Sequence, residues 1–370
     1  EIKEVKSKKE LKKFIKFPFE LYKGNKYWVP PLIFDDVKTL SKDKNPAFDF
    51  CEARYWLAYK DGKIAGRIAA IINHKFNEMW KQKAIRFGWI DFIDDAAVVK
   101  ALMNEVEKWG KESGLEYVHG PLGFTDFDPE GLLIEGFEEL STFGAIYNHP
   151  YYQKHVESLS YEKDADWIEF NVESPKTPNE KVSRIAEVVK QRNNLKLLKV
   201  NKAKELLPYA HEIFHLINDA YKDLYGFVPL TDKQIEMYTK AYFGFIKPGY
   251  VPVILDENNK VAAFGITMPS LSKAMQKANG RLFPFGFLHI LDAMKNSRDA
   301  DLYLTAVRAD LQNKGVNALL MTEVNNVFIN NNIEFVETNR ELEEISKIQA
   351  QWRFYNARQH KRRRCYKKSI

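Results

Sequence analysis

Cysteine is nearly absent from this chain: of 370 residues only Cys51 and Cys365 carry a thiol. Two cysteines so far apart, with no ligand motif beside either, exclude a disulfide framework and give no zinc spacing, so no metal site is expected. No run approaches the ~20 consecutive apolar residues of a membrane span. The lysine-rich stretch Glu1 to Lys16 lacks the apolar core and cleavage site of a secretory signal, which makes a soluble cytoplasmic protein the expectation. A dominant charge is missing too. The 56 basic and 50 acidic residues are mixed along most of the sequence and leave +6, which fits a solvated surface and argues against a nucleic-acid partner. The tail departs from that mixture. Arg358, His360, Lys361, Arg362, Arg363, Arg364, Lys367 and Lys368 form a basic run that either meets phosphates of a nucleic acid, an anionic membrane or a nucleotide cofactor, or lies as a solvated strand.

What the chain has in quantity is apolar and aromatic surface, 45% and 14% of its residues, enough for a core larger than one domain usually builds. Ser7 and Glu10 make a capping box for a helix with Leu11, Phe14 and Ile15 as its stripe, limited by Pro18. Strands are expected over 53–59 and 64–72 around the Asp61-Gly62 turn, then over 87–93 and 115–118, with a helix over 98–112 between the last two. The second half repeats this order. Helices over 202–224 and 231–243 precede a hairpin over 250–255 and 261–268, and a strand follows at 302–307. Leu102, Val106, Leu115, Glu116, Tyr117 and Val118 match Leu320, Val324, Ile333, Glu334, Phe335 and Val336 at one constant offset, which points to duplication. The pattern breaks at Pro175 and Pro178, giving an N-terminal domain 1–172, a linker 173–180 and a C-terminal domain 181–370. An insertion over 269–299 carries the apolar run Leu282-Phe283-Pro284-Phe285-Gly286-Phe287-Leu288, either the lining of an acyl pocket or a buried connection.

The most informative segment follows the apolar run Leu302 to Val307. There Gln312-x-x-Gly315-x-Asn317 leads directly into a helical pattern. The first N–H groups of a helix have no intrahelical partner and carry its positive dipole end, so this order presents bare backbone donors to an anion such as a pyrophosphate. Gly315 lets the backbone come close.

Helices, hairpin, strand and Gln312-x-x-Gly315 loop together resemble the GNAT superfamily of acyl-CoA-dependent N-acyltransferases, in its tandem two-domain form. The resemblance implies an α/β (α+β mixed sheet) fold of two tandem GNAT-like domains, each a mostly antiparallel mixed sheet flanked by helices. It implies acetyl-CoA or another acyl-CoA as co-substrate. Gln312, Asn313, Lys314, Gly315, Val316 and Asn317 would grip its pyrophosphate, and Thr305, Ala306 and Val307 its pantetheine arm. The family usually has Gly or Ala where this chain has Asn317. The resemblance further implies that Tyr355, on the closing helical stretch, gives a proton to the departing thiolate, the alternative being an aromatic packed on the core face beside Trp352 and Phe354. Glu337, at the end of an expected strand beside the loop, is placed either to take a proton from the amine through water or to act as a cap or ion-pair partner, with Glu341, Glu343 and Glu344 close in sequence. The acceptor would be a small-molecule or peptide amine attacking directly.

In the first half the loop position reads Ile93-Asp94-Asp95-Ala96-Ala97-Val98, without glycine and with two carboxylates that would repel a pyrophosphate. Beyond it, Asp126, Asp128 and Glu130 lie on one glycine- and proline-bearing loop, as ligands for a cationic amine, as a solvated turn series, or as part of a metal site short of a full ligand set. Two other readings stand beside the transferase. One is a module that binds coenzyme A or a metabolite without turnover. The other is an aminoacyl-tRNA-dependent transferase of the Fem-like peptidoglycan-bridge kind, with the basic tail on RNA, against which the Gln312-x-x-Gly315 loop speaks.

Overall fold

The computed structural model describes residues 1–243, 246–345 and 349–370. The hairpin of Cys51–Lys60 and Lys63–Asn73 turns at Asp61 and Gly62, both at positive φ (49° and 74°), the geometry a two-residue hairpin loop requires. Its strands bury side chains on both faces. Trp56, Ile68, Ala70 and Ile72 pack under Leu102, Val106 and Trp109 of helix Ala96–Glu112. Leu57, Ala69 and Ile71 meet Phe14 and Ile15 of helix Lys8–Leu21. That helix has the expected Ser7/Glu10 capping box, but Pro18 does not limit it. A proline in a helix frees the carbonyl four residues back, here that of Phe14, and buried Arg67 donates to that oxygen at 3.0 Å.

The second half repeats the order. Helices Leu207–Tyr221 and Asp232–Tyr242 precede strands Val253–Leu255, Val261–Pro269 and Asp299–Val307, then helix Val316–Asn330 and strand Phe335–Thr338. The insertion after Pro269 holds helices Ser272–Ala278 and Gly286–Asn296. Its apolar run is not a buried connection: Phe283, Phe285 and Leu288 are exposed. No helix among the described residues is long and apolar enough to cross a membrane.

The halves are joined by an exchange of strands. One mixed sheet runs Ile2–Glu4, Cys51–Lys60, Lys63–Asn73, Ala84–Phe92, Tyr117–Gly120, Ala357–Ser369, Glu162–Glu173, Phe335–Thr338, Asp299–Val307, Val261–Pro269, Val253–Leu255, Lys196–Leu197. The strand that closes the second half thus lies against the first half, and the strand that closes the first half lies against the second. The two pair antiparallel from Ala357↔Val172 to Lys367↔Glu162.

This pairing corrects the expectation for the basic tail. Its central cations are neither free for phosphates nor solvated: Lys361 and Arg363 are 1% and 0% exposed. Arg363 bonds Glu169, Lys361 bonds Glu337 at 2.8 Å, and Arg364 grips Asp166 through two nitrogens at 2.8 and 3.0 Å. Burial pushes the Glu169 carboxyl up, but the Arg363 and Lys361 charges outweigh it and hold the group below the usual carboxylate range. Removing one partner of such a pair strands the other charge inside the protein. Arg363→Ala is therefore expected to lose about 3–5 kcal/mol in urea unfolding, and Arg363→Met with Glu169→Leu to lose far less than either single change. Equal losses from the single and double variants would remove the ion pair as the cause.

Candidate active site

Strand Asp299–Val307 pairs in parallel with Phe335–Thr338 only from Asp299↔Phe335 to Leu302↔Thr338. Beyond Leu302 the two diverge. On the other side the register with Val261–Pro269 skips Tyr303, a bulge of the kind that re-aims a strand. After it, Arg308 turns its N–H to Ala262 O (2.9 Å) and Ala306 pairs with Phe264, so the backbone groups of Thr305 and Val307 face the open edge. Three carbonyls along this edge are held by side chains: Tyr303 O by Asn339 Nδ2 (2.7 Å), Thr305 O by the Tyr221 hydroxyl (3.0 Å) and Val307 O by Gln312 Nε2 (3.2 Å).

At the wide end of the edge begins helix Val316–Asn330, with Gly315 as N-cap at φ 82° and no side-chain cap. Asn313 is also left-handed, at φ 59°. A Cβ on Gly315 would lie 2.8 Å from Val189 of helix Glu180–Arg192, so the conformation and the close helix both demand glycine. Gln312, Asn313, Lys314, Gly315 and Asn317 are exposed, whereas Val316 is buried. The Asn317 amide lies aside, 3.5 Å from Gln351.

At the narrow end Asp301 stands opposite Glu337. Asp301 is 3% exposed and accepts from the Tyr303 hydroxyl at 3.2 Å; burial and the Glu337 charge push its pKa up to about 7. Glu337 Oε1 is bonded to His360 Nε2 at 2.6 Å and Lys361 Nζ at 2.8 Å. Neighbouring strand residues normally point to opposite faces. These two converge because His360 is itself a bulge, skipped in the register between Gln359 and Lys361. Tyr355 sits elsewhere, packed with Leu302 and Val324 on the side of helix Val316–Asn330, its hydroxyl accepting from Asn325 Nδ2 at 2.8 Å. It follows a 3-10 turn, Ala350–Phe354, and residues 346–348 of the expected helical stretch lie outside the described residues. No hydrogen bond joins Tyr355 to Glu337 among the described residues.

The loop bearing Asp126, Asp128 and Glu130 folds back between the halves rather than into solvent. Asp126 accepts from the Val228 N–H (3.2 Å), Asp128 from the Thr125 N–H (3.0 Å), and Glu130 lies 3.7 Å from Arg340. Burial raises all three, Asp128 to about 6 and Glu130 to about 7, and also lifts Asp36 of helix Ile33–Thr39 to about 7. Tyr238 of helix Asp232–Tyr242 stands opposite, 3.4 Å from the Thr125 hydroxyl. Asp36, Asp301, Tyr303 and Arg340 were not singled out by sequence. For Asp301 a signal existed: a carboxylate directly before the strand-like apolar run Leu302 to Val307.

The first half has the same divergence, filled by its own chain. Ala84–Phe92 and Tyr117–Gly120 part after Arg86↔His119, and Leu122 enters the gap, its N–H on Phe87 O at 2.8 Å. At the N-terminus of helix Ala96–Glu112 the Asp95 carboxylate accepts from Ala97 and Val98, where the second half leaves its helix uncapped. Elsewhere Cys365 does have ligand neighbours, His119 and Asp164; Tyr225 bonds both Asp164 (2.5 Å) and the thiol (3.3 Å), and burial pushes that thiol up. His211, His215 and Asp232 form a second, exposed group.

No protein-family model matches the chain. A tandem GNAT protein from the clavulanic acid biosynthesis pathway superposes with a TM-score of 0.56 at 11% identity, over 100% of this chain and 98% of that one. The chain therefore has the tandem GNAT fold, a large mixed sheet flanked by helices. By sequence it is 30% identical over 371 residues to protein YghO of Escherichia coli (strain K12), across 98% of this chain and 94% of that protein, and it belongs to the same family. It is also 27% identical over 297 residues to the bacterial ceramide synthase of Caulobacter vibrioides (strain NA1000 / CB15N), across 79% of this chain and 75% of that protein.

The raised pKa of Asp301 has a pH signature. The folded protein holds this proton more tightly than the unfolded chain, so the stability it gives is full below pH ~4 and is lost as pH rises through about 7. Asp301→Asn lacks that loss. Its stability relative to wild type should climb between pH 4 and 7 and level off above, and a difference independent of pH in urea titrations would contradict the assignment.

Proposed function

We propose that this protein is an acyl-CoA-dependent N-acyltransferase whose second half holds the cofactor and whose inter-half cleft holds the amine. The observation that carries the reading is the pairing of an open strand edge with an uncapped, glycine-initiated helix in one half, while the other half has both places filled by its own residues. The exposed loop from Gln312 to Asn317 offers N–H donors to the pyrophosphate, with Lys314 beside them. The edge at Thr305 and Val307 offers backbone groups to the pantetheine amides; those of the expected Ala306 are turned to Phe264 in the neighbouring strand and are not available. Tyr221 and Gln312 already fix two of its carbonyls, so the free N–H groups are the ones left to bind.

An amine must shed a proton before it attacks a thioester, and a base with a pKa near the working pH does this best. The carboxylate pair at the narrow end supplies it. Glu337 is bonded to His360 and Lys361, so an incoming proton falls on Asp301, whose pKa is about 7. Asp126, Asp128 and Glu130, with Asp36, give the cationic form of the amine an acidic waiting site. As the tetrahedral intermediate collapses, Tyr355 gives its proton to the thiolate; its hydroxyl oxygen accepts from Asn325, which leaves the phenolic hydrogen free.

The Caulobacter relative, a ceramide synthase by name, supports one acceptor class. A ceramide is the amide of a fatty acid with a long-chain amino alcohol, so a long acyl thioester and a lipid-like amine are the substrates we expect here. The aminoacyl-tRNA alternative loses its RNA-binding tail, whose central cations are paired inside the sheet.

Calorimetry with acetyl-CoA and palmitoyl-CoA should show binding by the wild type that Gly315→Glu removes; equal binding by both proteins would sink the cofactor loop. In a thiol-release assay with long-chain amino alcohols, Asp301→Asn should lower kcat by ~10²–10⁴ with KM for acyl-CoA unchanged. Tyr355→Phe should slow turnover without weakening cofactor binding, and unchanged turnover would take it out of the mechanism. Acyl-CoA binding with no amine acylated would favour the non-catalytic module.

A further inference from the structure

We infer that the insertion after Pro269, with helix Ile33–Thr39 and the basic face of helix Lys8–Leu21, is a binding surface for an anionic phospholipid bilayer. Phe283, Phe285, Leu291, Phe34 and Leu288 are 75%, 69%, 60%, 52% and 49% exposed, and the chain brings them together. Helix Gly286–Asn296 is apolar on two faces. Ile290, Ala293 and Met294 pack on Val29, Leu271 and Met275, whereas Leu288 and Leu291 have no such cover. Scattered exposed apolar residues need no explanation, but a second apolar face on one helix, continued by two phenylalanines, marks a contact surface.

The two phenylalanines are held rather than loose. The loop between the insertion's helices closes through Arg281 N–H to Ala278 O (3.0 Å) and Phe287 N–H to Leu282 O (2.8 Å). A Cβ on Gly286 would lie 1.9 Å from Arg281 O, so glycine is what lets the loop close and project its aromatic rings. Ile33 N–H bonds Gly280 O at 3.0 Å, which seats Phe34 beside the loop. Gln276 Nε2 donates to the carbonyls of Lys26 and Trp28, both at 2.9 Å, fixing the insertion to the first half.

Charge decides the partner. Next to the aromatic loop lies a groove of about 800 Å³ lined by Lys12, Lys16, Lys38, Lys44 and Arg281 around Ile33, Phe34 and Val37, with no carboxylate in the lining. Asp35 and Asp36 follow Phe34 on its helix, Asp292 follows Leu291, and Glu20 lines the adjoining groove with Lys16, Ile33 and Arg281. Projecting aromatic side chains ringed by lysines suit the interface of a bilayer with anionic headgroups, where rings enter the acyl boundary and cations stay with phosphate. A flat protein partner would be met by a flat patch.

The surface stands on exposure and charge and not on the acyl-transfer reading, and its test needs no turnover. The full chain is sedimented with vesicles of phosphatidylcholine alone and of phosphatidylcholine mixed with phosphatidylglycerol. We expect at least ~tenfold stronger binding to the anionic vesicles, weakened by salt. The double variant Phe283→Ser and Phe285→Ser, and separately Lys12→Glu with Lys16→Glu, should each cut binding by about tenfold or more while thermal melting and acyl-CoA binding stay as in wild type. Absent co-sedimentation, equal binding to both vesicle types, or binding untouched by either variant would overturn the proposal. So would self-association that the phenylalanine variant abolishes in the absence of vesicle binding, since a second copy would then be the occupant.

Discussion

Hydrogen bonding between Ala357–Ser369 and its two neighbours, Tyr117–Gly120 and Glu162–Glu173, is what makes the two halves one object. The halves cannot part without breaking this ladder and exposing Arg363, Lys361 and Glu169, charges that are buried only because they face one another. A one-residue slip would turn every side chain of the strand to the opposite face. The ion pairs across it, Arg363 with Glu169 and Arg364 with Asp166, fix the register. The same register, with its bulge at His360, delivers two donors to Glu337 and so sets the floor of the candidate site.

The halves differ in what they leave empty. Both contain two parallel strands, joined through a helix, that pair over only three or four residues before they separate. In the first half Leu122 fills the gap and Asp95 caps the helix. In the second, Gly315 starts the helix without a cap and the strand edge stays open. One scaffold is thus closed by its own residues in one half and left open in the other. Between them the loop that carries Asp126, Asp128 and Glu130 in the first half meets Tyr238 of the second.

Local signals in the sequence were legible where they rested on local physics. The Asp61-Gly62 turn, the Ser7/Glu10 cap, both hairpins and the strand-to-helix passage at Gln312–Asn317 stand where their residue types placed them, because backbone sterics and helix-end hydrogen bonding act over a few residues. The tail was not legible. Its cations look solvated until their partners, nearly two hundred positions away in sequence, are known, and pairing at that distance leaves no periodic trace. Pro18 misled for a similar reason, since only the fold brings Arg67 to the carbonyl it frees. Asp301 needed both the strand divergence and the opposing Glu337 before its chemistry could be read.

Strand exchange also bears on how the chain is made. Tyr117–Gly120 leaves the ribosome early, yet its antiparallel partner, Tyr366–Ser369, is synthesised roughly 250 residues later, a wait on the order of 10–50 s at ordinary elongation rates. Through that interval the nascent first half carries an unpaired sheet edge, the kind of surface on which chains pair with the wrong neighbour. The sheet of the first half is therefore complete only once Ala357–Ser369 has been made.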